Sequence, residues 1–71
     1  MIFKMENTYL TRLIKERDEL KEKIDKLEVF LKGEIYKTLE FAEQCDMKLQ
    51  LDYMNRYLEI LNRRLKRKSL T

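Results

Sequence analysis

Four side chains in the second half of the chain have the chemistry needed to bind a nucleotide. Tyr53, Arg56, Tyr57 and Arg64 place aromatic rings beside guanidinium groups. An aromatic face can stack on a base, and a guanidinium can hold a phosphate. The alternative is that the tyrosines fill an interface between subunits, where amphipathic aromatic residues are enriched. Both interpretations stay open, because a ligand can also lie between subunits.

The first half of the chain and its basic end offer related chemistry. Tyr9, Arg12 and Tyr36 again combine rings with a cation, and Lys23 is a further candidate for a phosphate contact. The basic segment 63–68 could touch phosphates, but cations also stabilise the C-terminal end of a helix. We favour the second interpretation, because acidic residues precede the segment and no base-reading module accompanies it. A net charge of +3 is mild, so we expect no nucleic-acid partner.

Groups that catalyse reactions are nearly absent from the sequence. There is no histidine, no glycine-rich phosphate loop and no metal-ligand motif. Cys45 lacks a histidine partner and is expected to be a small apolar filler. We therefore expect a protein that is not an enzyme and needs no cofactor or metal.

Helices must position these side chains. The 71 residues include no proline and one glycine, so few residues interrupt a helix. Apolar residues recur at spacings of three and four from residue 47 to residue 65, which is typical of a helix packed along a partner helix. A second stripe runs beside them and must pack against a further helix. We expect this helix to belong to another copy of the chain. The two stripes are Met47, Leu51, Met54, Leu58, Leu61 and Leu65, and Gln50, Tyr53, Tyr57, Ile60 and Arg64.

The first helix is predicted from about residue 7 to residue 32, with Asn7 or Thr8 as its N-cap. Arg17 interrupts its apolar stripe. Its charged head either reaches the surface, while its stem packs, or faces a pocket between subunits. The stripe is Leu10, Leu13, Arg17, Leu20, Ile24, Leu27 and Leu31.

A turn over residues 33–38, in which residues 34–38 can form one short helical turn of their own, and a second helix over about 39–67 complete the prediction. Gly33 is expected to end the first helix as a C-cap, and Thr38 to cap the second. Ile35 and Tyr36 are expected to cover the end of the core. The fold class is all-α: a single domain, 1–71, formed by an antiparallel, coiled-coil-like two-helix hairpin. Its predicted core seam comprises Leu13, Leu20, Leu27, Met54, Leu58 and Leu61.

The small size of the chain indicates that several copies of it assemble into an oligomer. A core of this size supplies little stability, and one cysteine cannot form an internal disulfide. We therefore expect a homo-oligomeric helical bundle. No apolar run approaches about 18 residues, and the first residues are too short and polar for a signal peptide, so we expect no membrane contact and a cytoplasmic location.

Two stretches resemble a family of short helical-hairpin proteins encoded by tailed and crAss-like bacteriophages. They are TRLIKERDELKEKIDKLEVFL and LQLDYMNRYLEILNRRL, which together cover just over half of the chain. The polar residues in them carry most of the resemblance, because packing alone would not select them. These are Arg12, Glu16, Lys23, Gln50, Tyr57 and Arg64.

The resemblance implies a phage protein that acts in the host cytoplasm. Small helical phage proteins of this kind include oligomeric sponges, among them the anti-CBASS sponges, which hold nucleotide second messengers away from immune effectors. No binding residue is carried over from them. The leading hypothesis is sequestration of a cyclic oligonucleotide or a cyclic ADP-ribose type of nucleotide. The alternatives are a protein-interaction or regulatory role with a host or phage protein, and a basic helical accessory that binds DNA.

Overall fold

The computed structural model describes the backbone of residues 2–70 and the side chains of residues 8–68. These residues form three helices: α1 (Ile2–Leu31), α2 (Glu34–Thr38) and α3 (Phe41–Leu70). No strand occurs within the described part of the chain. The molecule measures 53 × 16 × 15 Å, because α1 and α3 lie side by side along their length. None of the described helices is long and apolar enough to cross a membrane.

The core is a single apolar seam between α1 and α3. Leu61 of α3 is completely buried and forms one core cluster together with Leu13, Leu20 and Ile24 of α1. Burial of such residues removes apolar surface from water and is the main favourable contribution to folding. Of the remaining seam residues, Leu27 is half-buried. Half-buried Leu51, Met54, Leu58 and Leu65 extend the seam along α3.

Arg17 lies at the edge of this seam with its charged group at the surface. Its Nε donates a hydrogen bond to Asp18 at 2.6 Å, and its Nη1 donates to the Asn62 side-chain oxygen of α3 at 3.4 Å. The guanidinium is therefore satisfied within its own chain, and its stem covers one side of the seam.

Helix α1 begins at Ile2, earlier than the predicted start near residue 7. Asn7 and Thr8 lie inside the helix and cannot be its N-cap, so that expectation is wrong. A single residue of modest helix propensity costs only about 0.5 kcal/mol in a helix, which the residues around it can offset.

Helix α1 ends at Leu31, close to the predicted end at residue 32, but Gly33 is not the predicted C-cap. Its φ of −88° and ψ of 172° are extended, and it occupies the N-cap position of α2. The last turn of α1 instead closes through bonds from the N–H of Lys32 to Val29 O (3.1 Å) and from the N–H of Gly33 to Phe30 O (3.0 Å). No left-handed residue is needed when the last turn tightens in this way.

The connection from α2 to α3 depends on Gln44. Its side-chain amide donates to Tyr36 O at 2.9 Å and to Leu39 O at 3.1 Å, and the Tyr36 hydroxyl donates to Gln44 O at 3.3 Å. Tyr36 O also accepts from the N–H of Leu39 at 3.2 Å, so these bonds join the end of α2 to the first turn of α3. Buried Tyr36 covers this end of the core as expected, whereas Ile35 is 66% exposed and does not.

Thr38 does not cap the second long helix. It is the last residue of α2, and its hydroxyl donates to Ile35 O at 2.7 Å. Helix α3 begins three residues later at Phe41, and the N–H of Gln44 donates to Glu40 O at 3.0 Å. The predicted cap is wrong because Thr38 ends α2 and its hydroxyl bonds back to that helix.

Leu61→Ala should lower the free energy of unfolding by about 2–5 kcal/mol, because it removes a completely buried side chain and leaves a cavity. Urea denaturation followed by circular dichroism at 222 nm measures this change. Val29→Ala is the matched control, since Val29 is 72% exposed, and its effect should stay within about 0.5 kcal/mol. Equal losses in the two variants would contradict the placement of the core.

Gly33→Ala should leave stability unchanged or raise it by about 0.4–1 kcal/mol. The added Cβ would lie 3.4 Å from Phe30 O and 3.9 Å from Val29 O, which are ordinary contacts. Alanine also reduces the conformational entropy of the unfolded chain. The same urea titration tests this, and a loss above about 1 kcal/mol would indicate a left-handed Gly33.

Candidate ligand-binding site

The N-terminal part of α1 and the C-terminal part of α3 bring a tyrosine and three cations together. Nη2 of Arg64 donates a hydrogen bond to the Tyr9 hydroxyl at 2.9 Å. Nζ of Lys68, one turn further along α3, lies 5.2 Å from the centroid of the Tyr9 ring, within range of a cation–π interaction. Arg67 lines the same surface depression. We call these four residues, Tyr9, Arg64, Arg67 and Lys68, the Tyr9 patch.

The electrostatics of the Tyr9 patch favour negative charge. The hydrogen bond from Arg64 lowers the pKa of Tyr9 below its usual value of 10.0, and the charge of Arg64 lowers it further. Partial desolvation opposes this change, whereas the charges of Lys68 and Arg67 add to it. Surroundings that favour a phenolate also favour a bound anion such as a phosphate.

A second feature lies along α3, on a face that α1 does not cover. Leu49, Tyr53, Tyr57 and Ile60 are between 42% and 60% exposed. We call these four residues the α3 stripe. The two tyrosines border a shallow groove on this helix, together with Asp46, Leu49, Gln50 and Met54. Their exposed rings can stack on a planar ligand or pack against another protein surface.

The structure brings together some of the predicted site residues and separates others. Tyr53 and Tyr57 share the groove, and Arg64 joins Tyr9. Arg56 is exposed and forms an ion pair with Asp52 at 3.3 Å. Arg12 is exposed on α1. Lys23 is also exposed, in a separate mixed-charge depression with Glu19, Glu22 and Lys26.

The contact of Lys68 with Tyr9 was not predicted from the sequence, because the basic segment 63–68 was interpreted mainly as the charge of a helix end. A signal for it existed in the register of the two apolar stripes. If the stripes run in opposite directions with Leu13 beside Leu61, then Tyr9, four residues earlier, falls next to residue 65. Arg64 directly precedes that position, and Lys68 lies one turn after Arg64 on the same face of the helix.

The described residues contain no group of three or more histidine, cysteine, aspartate or glutamate side chains that could hold a metal ion. Cys45 is exposed, so the expectation that it fills the core is wrong. The position of Cys45 on α3 turns its side chain away from the seam. The arrangement is thus suited to binding through cations and aromatic rings.

Comparison with known proteins gives one match. The model of a protein family described as Sequestin matches residues 7–67, which covers most of the chain, including α2 and nearly all of the seam. No curated protein and no solved structure matches the sequence or the fold.

Arg64→Gln should raise the pKa of Tyr9 towards 10.0, because it removes both the hydrogen bond and the nearest positive charge. An NMR titration of the Tyr9 ring carbon checks this. Lys23→Gln is the control, since it removes a cation from a different surface, and it should leave the Tyr9 pKa unchanged.

The lowered pKa also predicts a pH dependence of stability. Between the folded-state pKa and about 10, the folded chain binds fewer protons than the unfolded chain. The free energy of unfolding should therefore rise with pH across this window relative to Tyr9→Phe. Parallel slopes for the wild type and Tyr9→Phe would contradict the Arg64–Tyr9 contact.

Proposed function

This chain belongs to the Sequestin family, and we propose that it is a phage-encoded protein that sequesters a nucleotide immune second messenger. The family name itself indicates sequestration. We further propose a cyclic oligonucleotide or a cyclic ADP-ribose type of ligand, held away from defence effectors in the host cytoplasm. The chemistry of the exposed side chains supports the ligand class.

The observation that carries the proposal is the Tyr9 patch. A nucleotide messenger presents phosphate oxygens, and Arg64, Arg67 and Lys68 offer donors and positive charge on one surface. The hydrogen bond to Tyr9 already holds the Arg64 guanidinium in place, so less side-chain entropy is lost when a phosphate binds.

Aromatic rings on the same helix supply the second half of the recognition. Tyr57 precedes Arg64 by seven residues, or about 10 Å along α3, and its ring is 42% exposed. A purine stacked on Tyr57 and a phosphate at Arg64 would match the dimensions of a nucleotide unit. Sequestration needs only binding, which fits a chain without histidine.

We propose that the functional unit is an antiparallel hairpin of α1 and α3 that assembles into a homo-oligomer. The contacts of Tyr9 with Arg64 and of Arg17 with Asn62 support the antiparallel direction. The exposed apolar residues of the α3 stripe support assembly. They equally suit the main rival, in which the chain binds or blocks a host or phage protein.

A thermal-shift screen of the purified protein against cyclic dinucleotides, cyclic trinucleotides and cyclic ADP-ribose isomers tests the function. Ligand at 100 times its Kd adds about 2.7 kcal/mol to stability, so one class should raise Tm by several degrees. A flat response from folded protein across the whole set would overturn the nucleotide proposal and favour a protein partner.

The double variant Arg67→Gln/Lys68→Gln then tests the site, and should weaken binding of the active nucleotide at least tenfold in calorimetry. The matched control is Lys23→Gln/Lys26→Gln, which removes the same number of charges from the separate depression on α1. Equal weakening in the two variants would show that net charge, and not the Tyr9 patch, governs binding.

A further inference from the structure

The α3 stripe is bordered by charges of opposite sign at its two ends. Going along α3, Asp46 comes one turn before Leu49, and Arg64 comes one turn after Ile60. Successive spacings of three or four residues keep all six positions on one face of the helix. The face is therefore apolar over its middle, acidic at its start and basic at its end.

We propose that this face binds a second copy of the chain, with the two α3 helices antiparallel about a two-fold axis at the level of Asn55. The inference builds on the assembly part of the proposed function and does not depend on the ligand. A two-fold interface uses the same surface on both subunits, so the surface must be complementary to its own inverted copy.

The α3 face meets this condition along its whole length. Asp46 and Arg64 are each nine residues from Asn55, so antiparallel pairing puts the Asp46 carboxylate of one copy beside the Arg64 guanidinium of the other. In the same register Tyr53 lies against Tyr57 of the second copy, since each is two residues from Asn55. Leu49 is six residues before Asn55 and Ile60 five residues after it, so these two side chains pair with an offset of one residue. Each contact occurs twice, once on either side of the axis.

The charges also exclude the parallel alternative. Parallel pairing in register would place Asp46 beside Asp46 and Arg64 beside Arg64, which is unfavourable because like charges repel. An unrelated partner would not require an acid and a base at equal distances from one centre. The symmetry of the pattern within a single helix thus points to a copy of the same helix.

The small core gives an independent reason for a partner. Among the described side chains, the buried hydrophobic residues are Leu13, Leu20, Ile24, Tyr36 and Leu61. Domains of this size commonly gain the rest of their stability from disulfides, metals or oligomerisation. Covering the α3 stripe would bury two further tyrosines and two aliphatic side chains.

The proposed dimer leaves the Tyr9 patch in place. A guanidinium has several N–H donors in a planar fork, so Arg64 can donate to Tyr9 and to a carboxylate of the second copy together. The two Arg64 residues would lie about 27 Å apart along the helices, one at each end of the dimer. Each end would then hold its own Tyr9 patch.

Charge reversal in the full chain tests the interface, with sedimentation equilibrium over a range of concentrations as the measurement. The wild type should form dimers, or larger even-numbered assemblies. Asp46→Arg and Arg64→Asp should each raise the dimer Kd at least tenfold, because each places like charges together. The double variant Asp46→Arg/Arg64→Asp restores opposite charges and should recover at least half of the loss on a logarithmic scale.

Asp25→Arg is the matched control, since it reverses an exposed charge on α1 and should leave the Kd unchanged. Tyr53→Glu tests the apolar middle without touching Arg64, and should also raise the Kd at least tenfold. Circular dichroism checks that each variant is helical.

Three results would overturn the inference: a monomeric wild type at all concentrations, single reversals that leave the Kd unchanged, or a double variant that recovers nothing. The nucleotide screen is separate from this test. A dimer that binds no nucleotide supports the interface and counts against the ligand, whereas a monomer that binds one overturns the interface and the proposed assembly but leaves the ligand proposal standing.

Discussion

The packing of α3 against α1 around Leu61 is the interaction on which the other features depend. Leu61 is the one side chain that is completely buried among those described, and it forms the core cluster together with Leu13, Leu20 and Ile24. This contact fixes how far each helix extends past the other. It therefore decides which residue of α1 lies beside Arg64, and which face of α3 remains uncovered.

In a chain with so small a core, two faces of the same helix make contacts of different kinds. The face of α3 that packs on α1 carries leucine and methionine, and the neighbouring face carries two tyrosines with aliphatic residues. Tyrosine is suited to a face that meets a partner or a ligand, because its ring packs while its hydroxyl stays hydrated. The composition of the two faces thus reflects a permanent contact on one side and a binding surface on the other.

The sequence was sufficient to predict the helical class, because apolar spacing reports directly on helix packing. Three of the six predicted seam residues, Leu13, Leu20 and Leu61, are buried. The sequence was insufficient at the helix ends. Asn7, Thr8, Gly33 and Thr38 all have residue types that favour caps, yet the last turn of α1 closes by its own backbone bonds, and Gln44 supplies the bonds that secure the end of α2. Such bonds depend on which groups the tertiary fold leaves unpaired, and local propensity does not contain that information.

The structure groups only some of the side chains that the sequence proposes for a ligand site, and their role in binding stays a prediction. Tyr57 and Arg64 stood out because their types do not suit a packed seam, whereas the contact of Tyr9 with Lys68 required the register of two helices distant in sequence. Lys23 has suitable chemistry but lies on a different surface. Residue type alone identified groups able to bind an anion, and only the packing of the helices showed which of them share a surface.

The position of the Tyr9 patch has a kinetic consequence. It joins the two long helices near their outer ends, away from Gln44 and the connection between the helices, and helix ends are where local opening costs least free energy. Because Tyr9 and Arg64 belong to different helices, separation of the ends would dismantle the patch. An anion bound there would bridge the two helices. The lifetime of the bound anion could not exceed the interval between spontaneous separations of the helix ends. The rate at which the ends separate would set the slowest release that the protein can achieve.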